Sequence, residues 1–371
     1  MLQKQLSLRQ MGVPVFALVL IAGLCSISLA AENPNGDNFV YVMSNQNPHN
    51  SVIQFSRASN GSLTRIGEVL TGGSGTGPTG IDPLGSQDSL VLSGDGHLLL
   101  AVNAGSNEVS VLEVKNEELR LRDKVWSGGE FPNSVALSDD LVYVLNAKGA
   151  TPHINGFRLD PDGFLHAIAG ARVDLPPGST GANDIRFADD GTKLLVTVAA
   201  TNQILVFEIG DDGVAGTPSP QASAGALPFG IRFGRNAVAI VSEAAGSASS
   251  YAFNGMDMLE VISGAVPDTQ KAACWISLNR SATYAYVSNT ASGTLSSYQI
   301  DGNGSLTLLK AVAANTGGAP IDTSLSLDSK FIYVVDSAMG RVAILRVDGG
   351  NLTPIGSFSS LPTSIQGIAA Q

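Results

Sequence analysis

Few side chains in this sequence are equipped for acid-base or electrostatic chemistry on a small molecule. There are 4 histidines in 371 residues. His49, His153 and Glu243 have the chemistry of a general base, and Lys148 and Arg341 carry the positive charge needed to stabilise an oxyanion. Together they would suit water attack on a strained ester ring. A second set is Asp184, Asp322 and Trp275. Two carboxylates and an indole at one level could bracket a divalent cation, bind sugar hydroxyls or divide into an acid and a base. The plainer alternatives are that both aspartates accept backbone N–H bonds from neighbouring loops and that the indole plugs a channel. Asp184 joins His153 and Glu243 as a catalytic candidate, and Asp322, Trp275, Lys148, Arg341 and His49 are ligand-binding candidates.

No metal signature accompanies them. The sequence lacks a Cys pair, a His-x-x-x-His spacing and an Asp-rich loop at calcium-binding spacing, so no cofactor is expected beyond a cation at the channel mouth. Asp160-Pro161-Asp162-Gly163 and Asp211-Asp212-Gly213 fit strand-to-strand turns. Gly72-Gly73-Ser74-Gly75-Thr76-Gly77 has neither the Lys nor the helix of a phosphate loop and reads as a flexible connection that covers the channel mouth.

These residues acquire positions only through a repeat. Ser93-Gly94-Asp95-Gly96-His97-Leu98-Leu99-Leu100-Ala101-Val102-Asn103 aligns without a gap on residues 188–198, and Asn107 to Val111 aligns on Asn202 to Val206. The phrase recurs seven times, with second strands ending at Asn45, Asn103, Asn146, Val198, Ser242, Asn289 and Asp336. The mean spacing of about 48 residues is that of a four-stranded propeller blade. The segments alternate with period two, as in Val109 to Val111, which excludes a helical solenoid. The expected fold is therefore all-β: a seven-bladed propeller of four-stranded antiparallel blades. Copy one, beginning at Asn38, lacks an inner strand, and Leu361 to Ile368 resembles the missing piece, so the C-terminus should close the ring by pairing into blade one. Aligned inner strands place Ser364, Ser89, Ser134, Asp184, Gly230, Trp275 and Asp322 around the mouth.

Composition agrees with that fold and narrows the partners. Hydrophobic residues make up 44% and charged residues 14%, with 42 glycines, which suits strands and tight turns rather than disorder. A net charge of -11 and the absence of a basic stripe exclude a nucleic-acid surface. Lys4, Arg9, the apolar run Val13 to Leu24 and Ser28-Leu29-Ala30 read as a signal peptide over residues 1–30, leaving a single domain over 31–371. The expectation is export to the periplasm or beyond, no transmembrane span after cleavage, and a monomer. Cys274 would be the only cysteine left, which rules out an internal disulfide in the mature chain.

Val142-Tyr143-Val144-Leu145-Asn146, Tyr286-Val287-Ser288-Asn289 and Leu63-Thr64 after Asn60-Gly61-Ser62 resemble the lactonase-type seven-bladed propellers, which include bacterial 6-phosphogluconolactonases and fungal 3-carboxymuconate cyclases. The likeness runs over about residues 38–370. It implies hydrolysis of a small lactone, or cyclisation of a carboxylated ring, at the channel mouth. Family enzymes carry a histidine-containing motif at the start of blade four and an Asp-Leu-Gly-like turn after that blade's second strand. Here those places read Gly181-Ala182-Asn183-Asp184 and Ala199-Ala200-Thr201-Asn202. That departure leaves a second reading open: a non-catalytic propeller that binds a ligand, a glycan or a protein at the cell envelope.

Overall fold

The computed structural model describes residues 38–371 except 116, 117, 256 and 257. The leader expected over residues 1–30, with Cys25, lies outside the described residues. Among the described residues the strands form seven antiparallel sheets of four. Six are consecutive in sequence, and the seventh joins Ile368–Ala370 to Phe39–Met43, Ser51–Arg57 and Leu63–Leu70. Inner strands of successive blades contact one another all the way round, so the ring is closed.

Burial explains why the phrase repeats. The second strand of each blade is mostly apolar because it lies between two neighbouring blades: Phe39–Met43, Leu141–Lys148 and Phe331–Asp336 are buried over almost their whole length. The outer strands, as in Leu63–Leu70 and Asn351–Phe358, are largely exposed because they form the rim of each blade. Asp160 to Phe164 and Asp211 to Gly213 turn the chain between third and fourth strands, with Gly163 at φ +86 and Gly213 at φ +82.

Register corrects three sequence-based positions. In blade five Glu243 pairs with Ser247, so the second strand, Ala239–Glu243, ends one residue beyond Ser242. In blade one the Ser44 N–H bonds the Ser51 carbonyl, which makes Ser44, not Asn45, the equivalent position. The closing strand is Ile368–Ala370, and residues 361–367 approach it as turn and loop. The blade-one member of the mouth ring is accordingly Gly367, whose carbonyl accepts from the Met43 N–H, and not Ser364. The first two shifts are of one residue and the third of three, offsets in turns or loops that a gapless alignment cannot see.

Candidate functional site

A polar residue at or near the end of the second strand grips the connector between blades in blades two, three, five and seven, as a staple, whereas blade four has Val198 there. Asn103 accepts from Thr71 Oγ1 at 2.6 Å and donates to Ser110 at 2.8 Å. Asn146 accepts from Ser127 Oγ at 2.6 Å. Asp336 takes the Ala319 N–H at 3.3 Å and the Arg341 guanidinium at 3.0 Å. The connector that each staple grips is glycine-bearing for a steric reason. A Cβ on Gly73 would stand 2.5 Å from Asn103, one on Gly225 1.9 Å from Glu243, and one on Gly318 1.6 Å from Asp336.

Glu243 belongs to this set. It is fully buried, its carboxyl accepts from Ser247 and Ser249 and from the Gly225 N–H at 3.0 Å, and burial holds it above the usual carboxylate range despite those donors. His153 is likewise enclosed at 3% exposure, with Nδ1 3.0 Å from the Thr151 carbonyl and Nε2 3.1 Å from the Gly128 carbonyl. Both ring nitrogens are occupied by the backbone. Arg341 donates to Asp336 and, at 2.5 Å, to the Thr316 carbonyl. Lys148 lies 3.5 Å over the Phe131 ring, and His49 is exposed. Of the five, only His49 occupies a loop; the others sit at the first or last residue of a strand, where ladder pairing fixes them.

The second set does converge. Asp184, fully buried on blade four's inner strand Ala182–Phe187, accepts the Ile231 N–H at 2.7 Å, Ser134 Oγ at 3.2 Å and Gln87 Nε2 at 3.3 Å. Asp322 on blade seven accepts the Gly367 N–H at 2.9 Å. Each aspartate therefore ties its blade to the next, as Ser134 does by accepting the Ile185 N–H at 3.2 Å. Burial raises both carboxyls well above their ordinary range, and nearby Asp88 adds to it. Asp88 itself holds Arg232 through two bonds of 2.7 and 2.8 Å and Arg186 at 3.1 Å. Among the described residues no three His, Cys, Asp or Glu side chains converge as metal ligands.

What closes the mouth is a segment the repeat does not contain. Residues 81–89, ahead of blade two's inner strand Leu90–Leu92, cross the channel and touch blade after blade. Ser337 of blade seven donates to the Ile81 carbonyl, and Gln366 donates to Asp82 at 2.7 Å and to the Ser86 carbonyl at 3.1 Å. Trp275 Nε1 donates to the Ser86 carbonyl at 2.9 Å, and Asn183 donates to the Gly85 carbonyl at 2.6 Å. Gln87 Oε1 accepts the Ile276 N–H at 2.8 Å, the bond that a mouth-ring side chain would make if Gly230 had one; a Cβ there would stand 2.4 Å from it. Trp275 is 1% exposed and packs edge-on against Phe229 at 4.8 Å, with no ring face open. The glycine run over residues 72–77 is neither free nor over the channel. It is wedged between the first two blades, with Gly75 bonded to Gln46 and Ser74 to Gly105.

One carboxyl in the plug is placed for chemistry, and sequence reasoning passed over it. Asp82 is partly exposed, its Oδ1 is fixed by the Gly85 N–H at 2.8 Å and by Gln366, and burial among the plug residues pushes it up to about 6. Cys274 lies close enough that the charge of Asp82, after burial, raises its thiol further. Asp82 and Pro83 stand in the stretch that lengthens the first repeat interval. That extra length was the only available signal.

Over residues 37–171 and 231–365 the sequence matches the model of the seven-bladed β-propeller lactonases. No curated protein sequence is similar enough to match. The fold superposes on a provisionally named 6-phosphogluconolactonase of Bacteroides fragilis with a TM-score of 0.71 at 19% identity, covering 90% of this chain and 97% of that one. A periplasmic gluconolactonase of Pseudomonas aeruginosa superposes with a TM-score of 0.71 at 14% identity, covering 89% and 98%. A Lactobacillus plantarum protein gives 0.72 at 18% identity, covering 90% and 99%. Such identities establish the fold, whereas the family match spans well over half of the sequence. The chain belongs to the lactonase family of seven-bladed β-propellers.

Proposed function

We propose that the chain is an exported hydrolase of small lactones and that Asp82 is its general base. The observation that carries this reading is the state of that one carboxyl: it is partly exposed, oriented by Gly85 and Gln366, and pushed up to about 6 at the mouth of the propeller. A base acts best when its pKa lies near the working pH. In the reaction Asp82 takes a proton from water while the water oxygen adds to the lactone carbonyl; collapse of the oxyanion expels the ring oxygen, which recovers the proton from Asp82. The family and the gluconolactonase named among the structural neighbours support the substrate class. Export rests on the Lys4 to Ala30 leader, and N-terminal sequencing of envelope-fraction protein should begin near Ala31.

Turnover of a lactone panel, followed by acid release in a pH indicator, tests the assignment. Asp82→Asn should lower kcat by about 10²-fold or more, with folding intact. The enclosure of His153 and Glu243 favours the second reading, binding without catalysis. Absence of turnover by the unmodified protein on every lactone would overturn the hydrolase reading, and retention of a glycan or protein from envelope extracts would support the second.

A further inference from the structure

On the face opposite the mouth, a groove of about 590 Å³ runs between blades seven and one. Its floor is apolar, formed by Leu63, Phe331, Ile344 and Ile355, of which Ile355 is 41% exposed. Its charged lining consists of Lys330 and Arg346, with no carboxylate. In a chain of net charge -11 this is a local reversal of sign. The corresponding cleft between blades two and three, about 920 Å³, carries five carboxylates (Asp95, Glu113, Asp139, Asp140 and Asp160) against the cations Lys115 and Arg158.

The two cations are held near one another by the ladder. Arg346 is the cross-strand partner of Phe331, and the Val347 N–H bonds the Lys330 carbonyl at 2.8 Å. Arg346 makes no ion pair among the described residues. Lys330 shares Asp328 with Arg57, at 3.5 and 3.6 Å, so that one carboxylate faces two cations. The opposite wall is rigid. The turn at Asn60 to Ser62 is pinned by Tyr333, whose hydroxyl donates to the Gly61 carbonyl at 3.1 Å, and Gly61 has φ +89 with the Phe331 ring where its Cβ would be. A preformed groove with an apolar floor and a few placed polar groups has the size and character of a small-molecule site.

We propose that this groove binds an organic anion with an apolar body, an aryl or short acyl carboxylate or sulfonate, its head between Lys330 and Arg346 and its body along Phe331 and Ile355. The site is separate from the mouth and does not depend on lactone hydrolysis. The probe is 8-anilinonaphthalene-1-sulfonate, titrated by fluorescence against the full chain, with uncharged N-phenyl-1-naphthylamine as its partner. The double variant Lys330→Glu/Arg346→Glu should weaken the sulfonate by about tenfold or more and leave the neutral dye within about twofold. Ile355→Asp should weaken both. The urea midpoint and lactone turnover should stay unchanged in the double variant, because both substituted side chains are exposed. No saturable sulfonate binding by the unmodified protein, or equal sulfonate affinity in the double variant, would overturn the proposal.

Discussion

Glu243 shows how a residue with catalytic chemistry can be committed to architecture. Three donors converge on it, and it stands where the other blades carry Asn103, Asn146, Asn289 and Asp336. Glu243→Ala should therefore cost about 2–4 kcal/mol in urea unfolding, because Ser247, Ser249 and the Gly225 N–H would lose their acceptor inside the protein. Glu243→Gln, which keeps a carbonyl oxygen in place, should cost less than half as much. Equal stability of the alanine variant and the unmodified protein would remove Glu243 from the staple set. The repeat itself held this information: a polar residue ends nearly every second strand. It went unread at blade five because a one-residue register error put Ser242 in that position and left Glu243 looking like part of a loop. His153 offered no such clue, since its two carbonyl partners come from connections that only the folded chain brings together.

At the scale of elements, each blade boundary depends on a connector thin enough to lie against the staple of the next blade. Thr71-Gly72-Gly73, Ser127-Gly128-Gly129 and Thr316-Gly317-Gly318 are three copies of that connector. Gly318→Ala places a methyl 1.6 Å from Asp336 Oδ2 and should destabilise by about 1–3 kcal/mol, seen as a lower urea midpoint. An unchanged midpoint would mean that the connector yields without cost. Blade number, strand order and the antiparallel pairing were legible because each is stated seven times in the sequence. The plug over residues 81–89 is stated once. Its path is set by bonds to Gln366, Trp275, Asn183 and Ser337, partners that are 98 to 284 residues away, and no local pattern announces them.

For the whole molecule, closure and the mouth are one construction. The last strand completes blade one, and the approach to it supplies Gln366, which donates to Asp82 and accepts the Leu84 N–H at 2.8 Å. Deleting residues 361–371 removes the inner strand of one blade together with buried Leu361, Ile365 and Ile368. The thermal midpoint should fall by about 10 °C or more in a single transition, since each buried aliphatic side chain contributes about 1.5–3 kcal/mol. A midpoint that stays put, or a separate melting of blade one alone, would show that the ring does not fold as a unit.

The claim that the mouth is catalytic through Asp82 meets its most direct test in the pH dependence of kcat/KM for the best lactone of the panel. Because the base must be deprotonated to take a proton from water, the rate should rise with pH and level off above about 6, the value to which burial pushes Asp82. Asp82→Asn should erase that limb along with most of the activity. A profile with the same midpoint and height in both proteins would contradict the account.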